Sequence, residues 1–254
     1  MLNFLRNFRK KVLAERTYSK YLLYAIGEIA LVVIGILIAL RINGWNDHRR
    51  MLQKEIEMLQ AFDLQFTNDV KQFDECLAFH AESEHSIDLL IRHLDDNLPY
   101  HDSLSRHFFA STRIYIDADM ANHVFETLQS IGVDLISNEE IRNNVVLLYE
   151  DEDQWIKNFE TMYIDFVLNA SKELFPTRFR DFWQGDYTDL RYLNGSMTPL
   201  DFDQLKQDQE YLYFIRTQKN FLGWLIKRPL EETRSKLIAL QGDIRREVRQ
   251  LKSR

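Results

Sequence analysis

The sequence contains little glycine, proline or cysteine. Of its 254 residues, 8 are Gly, 4 are Pro and 1 is Cys, and no glycine falls between Gly44 and Gly132. Sheet proteins need frequent turns, which are built largely from glycine and proline, whereas long helices need few of either. The single cysteine, Cys76, excludes a disulfide within the chain. The scarcity of turn residues predicts an all-α fold.

Signatures of common catalytic sites are also missing. The sequence has no GxxxxGK[ST] phosphate loop, no GxGxxG, no HExxH, no GxSxG and no paired CxxC. The formal net charge of −7 disfavours nucleic acid as a partner, because phosphate binding needs a basic face. We therefore expect a protein with no catalytic activity, no cofactor and no nucleic-acid partner.

One long hydrophobic run lies near the N-terminus. Residues 21–40 read YLLYAIGEIALVVIGILIAL, with a single charge at Glu28. About 20 apolar residues at helical rise match the hydrocarbon thickness of a bilayer. A cleavable signal peptide would have a shorter apolar core and a small-x-small cleavage site, which the exit sequence Leu40-Arg41-Ile42-Asn43 does not offer. The run predicts an uncleaved transmembrane helix.

Charge is distributed unevenly on the two sides of this run. Residues 1–20 carry six bases and one acid, whereas residues 41–254 carry 26 bases and 37 acids. Positive charge beside a span is retained in the cytoplasm, so the basic tail of residues 1–20 predicts a cytoplasmic N-terminus. In a Gram-negative bacterium the span would then lie in the inner membrane, with residues 41–254 in the periplasm.

Glu28 is an ionisable group deep within the predicted span. Such a group is expensive in hydrocarbon, so it faces protein, pairs with another group or stays protonated. The same helix face carries Val32, Gly35 and Ala39, and Gly35-x-x-x-Ala39 permits close approach of another helix. This face predicts contact with an anchor helix of a second copy or of another membrane protein. The alternative is a proton or ion relay, which needs partner groups that a lone span does not supply.

Apolar residues in heptad spacing continue beyond the span. Two rows of residues spaced by seven are mostly apolar, and no proline interrupts them before Pro99. They predict one long helix over residues 41–95. Two polar members, Arg49 and Asp63, resemble the buried polar groups that set register in coiled coils. We expect a helical seam formed by Arg49, Ile56, Asp63, Phe66, Val70 and Phe73.

Further helix signals follow in the rest of the chain. Ser137-Asn138-Glu139-Glu140 is a capping box that predicts a helix over 138–174. Heptad spacing predicts a last helix over 208–252, which Pro229 should kink or split. Residues 176–197 are expected to be irregular, and no strand is predicted. Long helices linked in series bury their apolar stripes against each other, so we expect an up-and-down bundle.

The apolar rows of the helix predicted over 138–174 are also in heptad spacing, and they place its buried face. These rows are Ile141, Leu148, Trp155 and Met162, together with Val145, Phe159 and Phe166.

Two stretches of the sequence follow a common pattern. The first is KYLLYAIGEI at residues 20–29, continuing to RINGWN at 41–46, and the second is FETLQS at 125–130 with LISNEEIR at 135–142. They resemble a domain-of-unknown-function family of single-pass membrane proteins from Gram-negative bacteria. Gly44 and Ile131 depart from the family pattern, in which Asn and Ser are more usual. The resemblance supports the membrane anchor and implies no activity.

Four side chains of the long helix are candidates for a metal site. Cys76, His80 and Glu84 share a helix face at spacings of four, and Glu82-x-x-His85 resembles half of a carboxylate-bridged di-iron motif. A di-iron bundle needs two such motifs and two further inward carboxylates, and the sequence offers one motif. A solvated or hydrogen-bonded polar patch therefore explains Cys76, His80, Glu84 and His85 better than a metal does.

Together these features predict a membrane-anchored helical interaction or structural protein that self-associates through the anchor and the helical seam. Its expected partners are the lipid bilayer and either a second copy or another membrane protein. One alternative is an extracytoplasmic bundle that senses a small molecule and signals through a separate partner. A second alternative is a metal-binding helical-bundle enzyme at the four side chains named above.

Overall fold

Helix dominates the structure, as the all-α prediction requires. The computed structural model describes residues 16–114, 120–186, 188 and 194–253, without the side chains of residues 16–21, 23 and 24. Residues 1–15 of the predicted basic tail lie outside this description. The chain divides into two compact units, an N-terminal unit of residues 1–54 and a C-terminal unit of residues 55–254.

The helices follow one another with short connectors. They are α1 (Arg16–Asp95), α2 (Leu104–Ser111), α3 (His123–Ile131), α4 (Glu139–Leu147), α5 (Asp153–Glu173), α6 (Phe202–Leu205), α7 (Gln209–Phe221) and α8 (Arg228–Lys252). A first π-turn, Leu148–Glu152, joins α4 to α5, and a second π-turn, Leu222–Lys227, joins α7 to α8. Short 3₁₀ turns lie at Val133–Leu135 and Phe175–Thr177.

The two π-turns make two long helical runs out of four helices. The runs cover residues 139–173 and 209–252, where the sequence predicts 138–174 and 208–252. Pro229 lies at the start of α8 and does not split the second run. A proline clashes with the carbonyl four residues earlier, which here belongs to Leu225 within the π-turn. The wider π-turn accommodates that clash without ending the helix.

In the N-terminal unit, α1 carries an apolar surface that the described chain leaves uncovered. Every residue from Ala25 to Met51 is exposed. Among the large apolar side chains, Leu31 is 74% exposed and Leu40 is 60% exposed. Of the described helices, α1 is the one that is long and apolar enough to cross a membrane. Continuous apolar surface of this extent is rare on soluble monomers, so α1 is a candidate membrane-spanning helix.

In the C-terminal unit, two heptad rows of α1 are buried. Together the rows form a wide stripe on one side of the helix, and other helices of the chain cover it. The first row is Leu59, Phe66, Phe73, His80, Ile87 and Leu94, and the second is Glu55, Phe62, Asp69, Cys76, Ser83 and Leu90. The first of these rows follows the apolar pattern of the sequence. The second is interrupted by polar residues, so the apolar pattern does not reveal it.

The residues of the predicted seam have different environments. Phe66 and Phe73 are fully buried, and Ile56 is 6% exposed. The other members of its row, Asp63 and Val70, lie at the margin of the buried stripe and are half-buried. The predicted seam row is therefore one position away from the second buried row.

Arg49 of the predicted seam lies outside the C-terminal unit. It is exposed, with its guanidinium 5.8 Å from the centre of the Trp45 ring. Arg49 is therefore no part of the buried stripe.

Ion pairs show that the run formed by α7 and α8 packs antiparallel to residues 55–95 of α1. Residue numbers rise along one helix as they fall along the other. The pairs are Arg216–Asp95 (2.6 Å), Lys219–Asp88 (2.5 Å), Lys227–Glu84 (2.5 Å), Arg234–Asp74 (2.6 Å) and Arg245–Asp63 (2.7 Å). Exposed ion pairs of this kind each contribute about 0–1 kcal/mol to stability. They therefore show how the two helices are aligned but stabilise the packing little.

The start of α4 differs from the predicted capping box. A box of this pattern would use Ser137 as the cap, but the Asn138 side chain accepts hydrogen bonds from the backbone N–H groups of Glu140 and Ile141. The Ser137 hydroxyl and N–H both donate to the Glu55 carboxylate at 2.7 Å. Because Ser137 hydrogen-bonds to the buried Glu55 carboxylate, Asn138 rather than Ser137 caps α4.

A short antiparallel ribbon lies within the segment predicted to be irregular. Gln184–Gly185 pairs with Gly195–Ser196. A Cβ on Gly195 would lie 2.4 Å from the Phe109 ring, so the close approach of this backbone to α2 requires glycine. The ribbon has two residues per strand, which is too short to leave a period-2 pattern in the sequence.

The placement of the buried stripe predicts a contrast between two leucines of α1. Leu59 is 0% exposed and Leu64 is 67% exposed. Leu59→Ala should lower the free energy of unfolding by about 2–5 kcal/mol, because it leaves a cavity. Leu64→Ala should change it by no more than about 0.5 kcal/mol. Denaturation of the full-length protein in detergent, followed by circular dichroism, checks both; equal losses would contradict the placement.

Candidate functional site

The four metal candidates are not brought together. Cys76 and His80 are buried in the interior, at 6% and 0% exposure. The Glu84 carboxylate accepts a hydrogen bond from Lys227 at 2.5 Å, and His85 is exposed. Among the described residues, no group of three or more His, Cys, Asp or Glu side chains is placed to hold a metal ion.

The predicted membrane-helix interface lies on open surface of the N-terminal unit. Glu28, Val32, Gly35 and Ala39 are all exposed. A Cβ added at Gly35 would meet no atom within 4 Å, so another helix can approach closely there. The Glu28 side chain forms no ion pair or hydrogen bond with any residue that the structure describes.

Buried polar side chains of α1 form a first cluster where the chain enters α3. Gln65 and Asp69 lie one turn apart on α1. The Gln65 Nε2 group donates to the carbonyl oxygen of Ala121 and to the Tyr149 hydroxyl. The Ala121 N–H donates to Asp69 Oδ1 at 3.4 Å. We call Gln65, Asp69, Ala121, Tyr149 and the nearby Asp153 the Asp69 cluster.

Burial sets the electrostatics of the Asp69 cluster. Asp69 is 2% exposed, and desolvation raises the pKa of its carboxyl to about 6 although Ala121 and Gln65 hydrogen-bond to it. The negative charge of Asp153 raises this pKa further, and His123 lowers it. Burial also raises the pKa of the Tyr149 hydroxyl, so that group stays protonated.

A second buried cluster lies deeper, where α1 meets α2, α5 and α7. The Gln218 Nε2 group donates to the carbonyl oxygen of Ser111 at 2.5 Å and lies 3.5 Å from the Tyr163 hydroxyl. The Tyr163 ring packs edge-on against the His80 ring, with centroids 6.4 Å apart. His80, Ser111, Tyr163, Gln218 and the adjacent Arg113 form the His80 cluster.

Arg113 is a buried cation in this cluster. It is 2% exposed, and its guanidinium lies 4.2 Å from the centre of the Phe79 ring. Its Nη2 donates to the Glu82 carboxylate at 3.1 Å. Desolvation lowers the pKa of His80 to about 3, and the charges of Arg113 and Lys227 add to that effect. His80 is therefore a neutral imidazole in the folded protein at every physiological pH.

Each cluster adjoins a π-turn. Tyr149 belongs to the first π-turn, and the carbonyl of Gln218 accepts from the N–H of Leu222, where the second begins. Single π-turns inside α-helices are frequent at functional sites, because the extra residue redirects side chains. The two clusters are therefore the best candidates for functional chemistry in the described C-terminal unit.

The first π-turn also changes which residues of α5 are buried. The heptad pattern predicts an apolar row of Ile141, Leu148, Trp155 and Met162, but Trp155 is 63% exposed and Met162 is 53% exposed. The extra residue of the π-turn moves the buried face one position along the chain. The buried row is Ile141, Leu148, Ile156, Tyr163 and Ala170. Trp155 and Met162 therefore present an apolar edge to the outside.

Sequence reasoning singled out His80 and missed the rest of both clusters. Asp69, Gln65 and Gln218 are isolated polar residues in apolar patterns, and such residues resemble solvated positions. The partners of Asp69 and Gln65 lie more than fifty positions away, so no local spacing links them. The break in the heptad phase between Leu148 and Ile156 is the signal from which the first π-turn could have been inferred.

Comparisons with known proteins support the resemblance in part. Residues 28–104 match a family of unknown function, DUF6090. No curated protein and no solved structure matches the chain. The matched range begins at Glu28 and includes Asp69 and His80, whereas the stretch at 125–142 lies outside it. The match supports an uncharacterised domain family and brings no activity with it.

The depressed pKa of His80 predicts loss of stability in acid. The folded pKa of about 3 lies below the ordinary value of 6.5, so below pH 6.5 the unfolded chain binds a proton that folded His80 does not. Between pH 7 and pH 5 this costs about 2 kcal/mol. His80→Gln should remove that loss from denaturation curves, and His101→Gln, an exposed control, should retain it. Equal losses in wild type and His80→Gln would show that His80 titrates normally.

Proposed function

We propose that this protein is a membrane-anchored helical protein that self-associates through the exposed face of its anchor. The anchor is residues 21–40, and residues 55–254 form an up-and-down helical bundle without catalytic activity. The observation that carries the proposal is the apolar surface of α1 from Ala25 to Leu40, which no described part of the chain covers. A lipid bilayer covers such a surface on all sides.

The charges flanking the span support an orientation. Six bases precede residue 21, and positive charge is retained in the cytoplasm. We therefore place the N-terminus in the cytoplasm and the acidic C-terminal unit outside it. In a Gram-negative cell this corresponds to the inner membrane and the periplasm.

In this proposal, two copies contact each other through the anchor face that carries Glu28, and not through the helical seam. The seam residues Phe66 and Phe73 are fully buried by the chain's own helices, which leaves them no surface for a second copy. The exposed face with Glu28, Gly35 and Ala39 is available. A second copy offers the same face, so two Glu28 carboxyls lie at one depth, where they hydrogen-bond to each other. That contact satisfies each acid without a cation.

Anchorage is tested by washing membranes with alkaline carbonate. The full-length protein should stay in the membrane pellet, because an apolar helix across the bilayer is not released by high pH. The double variant Ile34→Arg/Leu37→Arg should pass to the supernatant, since each arginine costs about 2.5–3.5 kcal/mol at the centre of a span. The control Leu64→Arg, on the exposed side of the bundle, should remain in the pellet. A wild-type protein that washes off contradicts the proposal.

Self-association is tested by the mass of the protein in mild detergent, measured by light scattering during gel filtration. Wild type should be larger than a monomer. Gly35→Leu fills the close-approach position and should weaken association about tenfold or more, as should Glu28→Leu, which removes the shared hydrogen bond. Ala30→Leu is the control, because it places a leucine side chain on the opposite helix face. A strictly monomeric wild type would refute self-association.

A further inference from the structure

Two side chains of α1 hydrogen-bond to the backbone of Ala121 and hold the segment before α3 against α1. Asp69 accepts from the N–H of Ala121, and Gln65 donates to its carbonyl oxygen. Met120, the preceding residue, is 4% exposed, so this segment is packed against the interior. The attachment of residues 120–122 therefore depends on the state of two groups on one face of α1.

The Asp69 cluster has more hydrogen-bond acceptors than donors. Gln65 Oε1, Asp69 Oδ2 and Asp153 Oδ1 are buried and receive no hydrogen bond from any residue that the structure describes. A buried acceptor without a donor costs about 1–3 kcal/mol. A proton on Asp69 turns one acceptor into a donor and removes the charge of a buried carboxylate at the same time.

The neighbours of Asp69 do not neutralise it. The titratable and charged groups that face it, in the described chain, are His123 of α3, Asp153 of α5 and Tyr149 of the first π-turn. Asp153 is negative, and its one cation, Lys157, pairs with it at 2.6 Å. His123 is exposed and favours the ionised form of Asp69 only weakly. Ionised Asp69 is therefore a buried charge beside another acid.

We propose that Asp69 is a proton-controlled clasp, which holds residues 120–122 and α3 against α1 when its carboxyl is protonated and loosens them when the proton leaves. In the closed form Oδ1 accepts from the Ala121 N–H, and the proton on the carboxyl removes its buried charge. In the ionised form the carboxylate draws in water, which separates the segment from α1.

The direction of the pH response follows from burial. The pKa of Asp69 is raised to about 6 from 3.8, so the closed form binds the proton more tightly than an open, hydrated form. The contribution to closing is fully present below about pH 4 and is lost as pH rises through 6. With these two values, the opening equilibrium increases roughly tenfold between pH 5 and pH 7.5.

Hydrogen exchange measured by mass spectrometry on the full-length protein in detergent tests the clasp. Labelling at pH 5 and pH 7.5, with times scaled for intrinsic exchange, should show about tenfold less protection at pH 7.5 for peptides covering 120–131. In Asp69→Asn the carboxamide keeps an acceptor for Ala121 without titrating, so protection should not change with pH. Asp151→Asn is the matched control, since it removes an exposed acid from the first π-turn and should retain the wild-type response.

Two results would overturn the proposal. One is equal protection of the 120–131 peptides at both pH values in the wild type. The other is a tenfold response that survives in Asp69→Asn. Should that variant not fold, Asp153→Asn supplies an independent test, because removing the neighbouring charge should move the midpoint of the response to lower pH. An unchanged midpoint in Asp153→Asn counts against the clasp, and a shift in the expected direction supports it.

Discussion

Covering the apolar surface of α1 is the constraint on which this structure depends. A fully buried leucine or phenylalanine contributes about 1.5–3 kcal/mol relative to an exposed one. In the C-terminal unit the chain meets this demand itself, because its own helices bury the two heptad rows from Leu59 to Leu94 and from Glu55 to Leu90. In the N-terminal unit no described residue covers the apolar run after Ala25. The same physical requirement therefore produces a packed core in one unit and leaves a candidate membrane-spanning surface in the other.

The polar residues within the buried stripe differ in how the free-energy cost of their burial is reduced. Glu55 forms no ion pair with any residue that the structure describes, but Ser137 donates two hydrogen bonds to its carboxylate. Burial lowers the pKa of His80 and raises that of Asp69, so both favour their neutral forms. Their pH effects have opposite signs: His80 destabilises the fold increasingly as pH falls below about 6.5, and Asp69 destabilises it increasingly as pH rises from about 4 to about 6. The two groups lie eleven residues apart on one helix, and their effects on stability partly offset each other between about pH 4 and pH 6.

The sequence reveals the helices better than the site. Apolar spacing, Pro99 and the 137–140 signal are local, so they predict the end of α1 and both ends of the two later helical runs to within a residue. The apolar row through Leu59 and Phe66 is visible for the same reason. The buried row through Asp69 cannot be recognised in the sequence, because a buried polar residue and a solvent-exposed one look the same there. The π-turns are not predicted either, because the only trace of the first in the sequence is a shift of the heptad phase between Leu148 and Ile156.

Glu28 and Asp69 present the same physical problem in different surroundings. Each is an acid in an apolar helix, and neither has a cation beside it in the described chain. Asp69 is held by a backbone N–H and an amide from its own chain, which lets it remain as a neutral or weakly ionised group. Glu28 has no such neighbours, and a bilayer supplies neither donor nor water at that depth. If residues 21–40 span a membrane, the group that satisfies Glu28 comes from another helix. We propose a second copy of this chain as that partner, because it would bring a suitable group to the same depth without requiring any other protein.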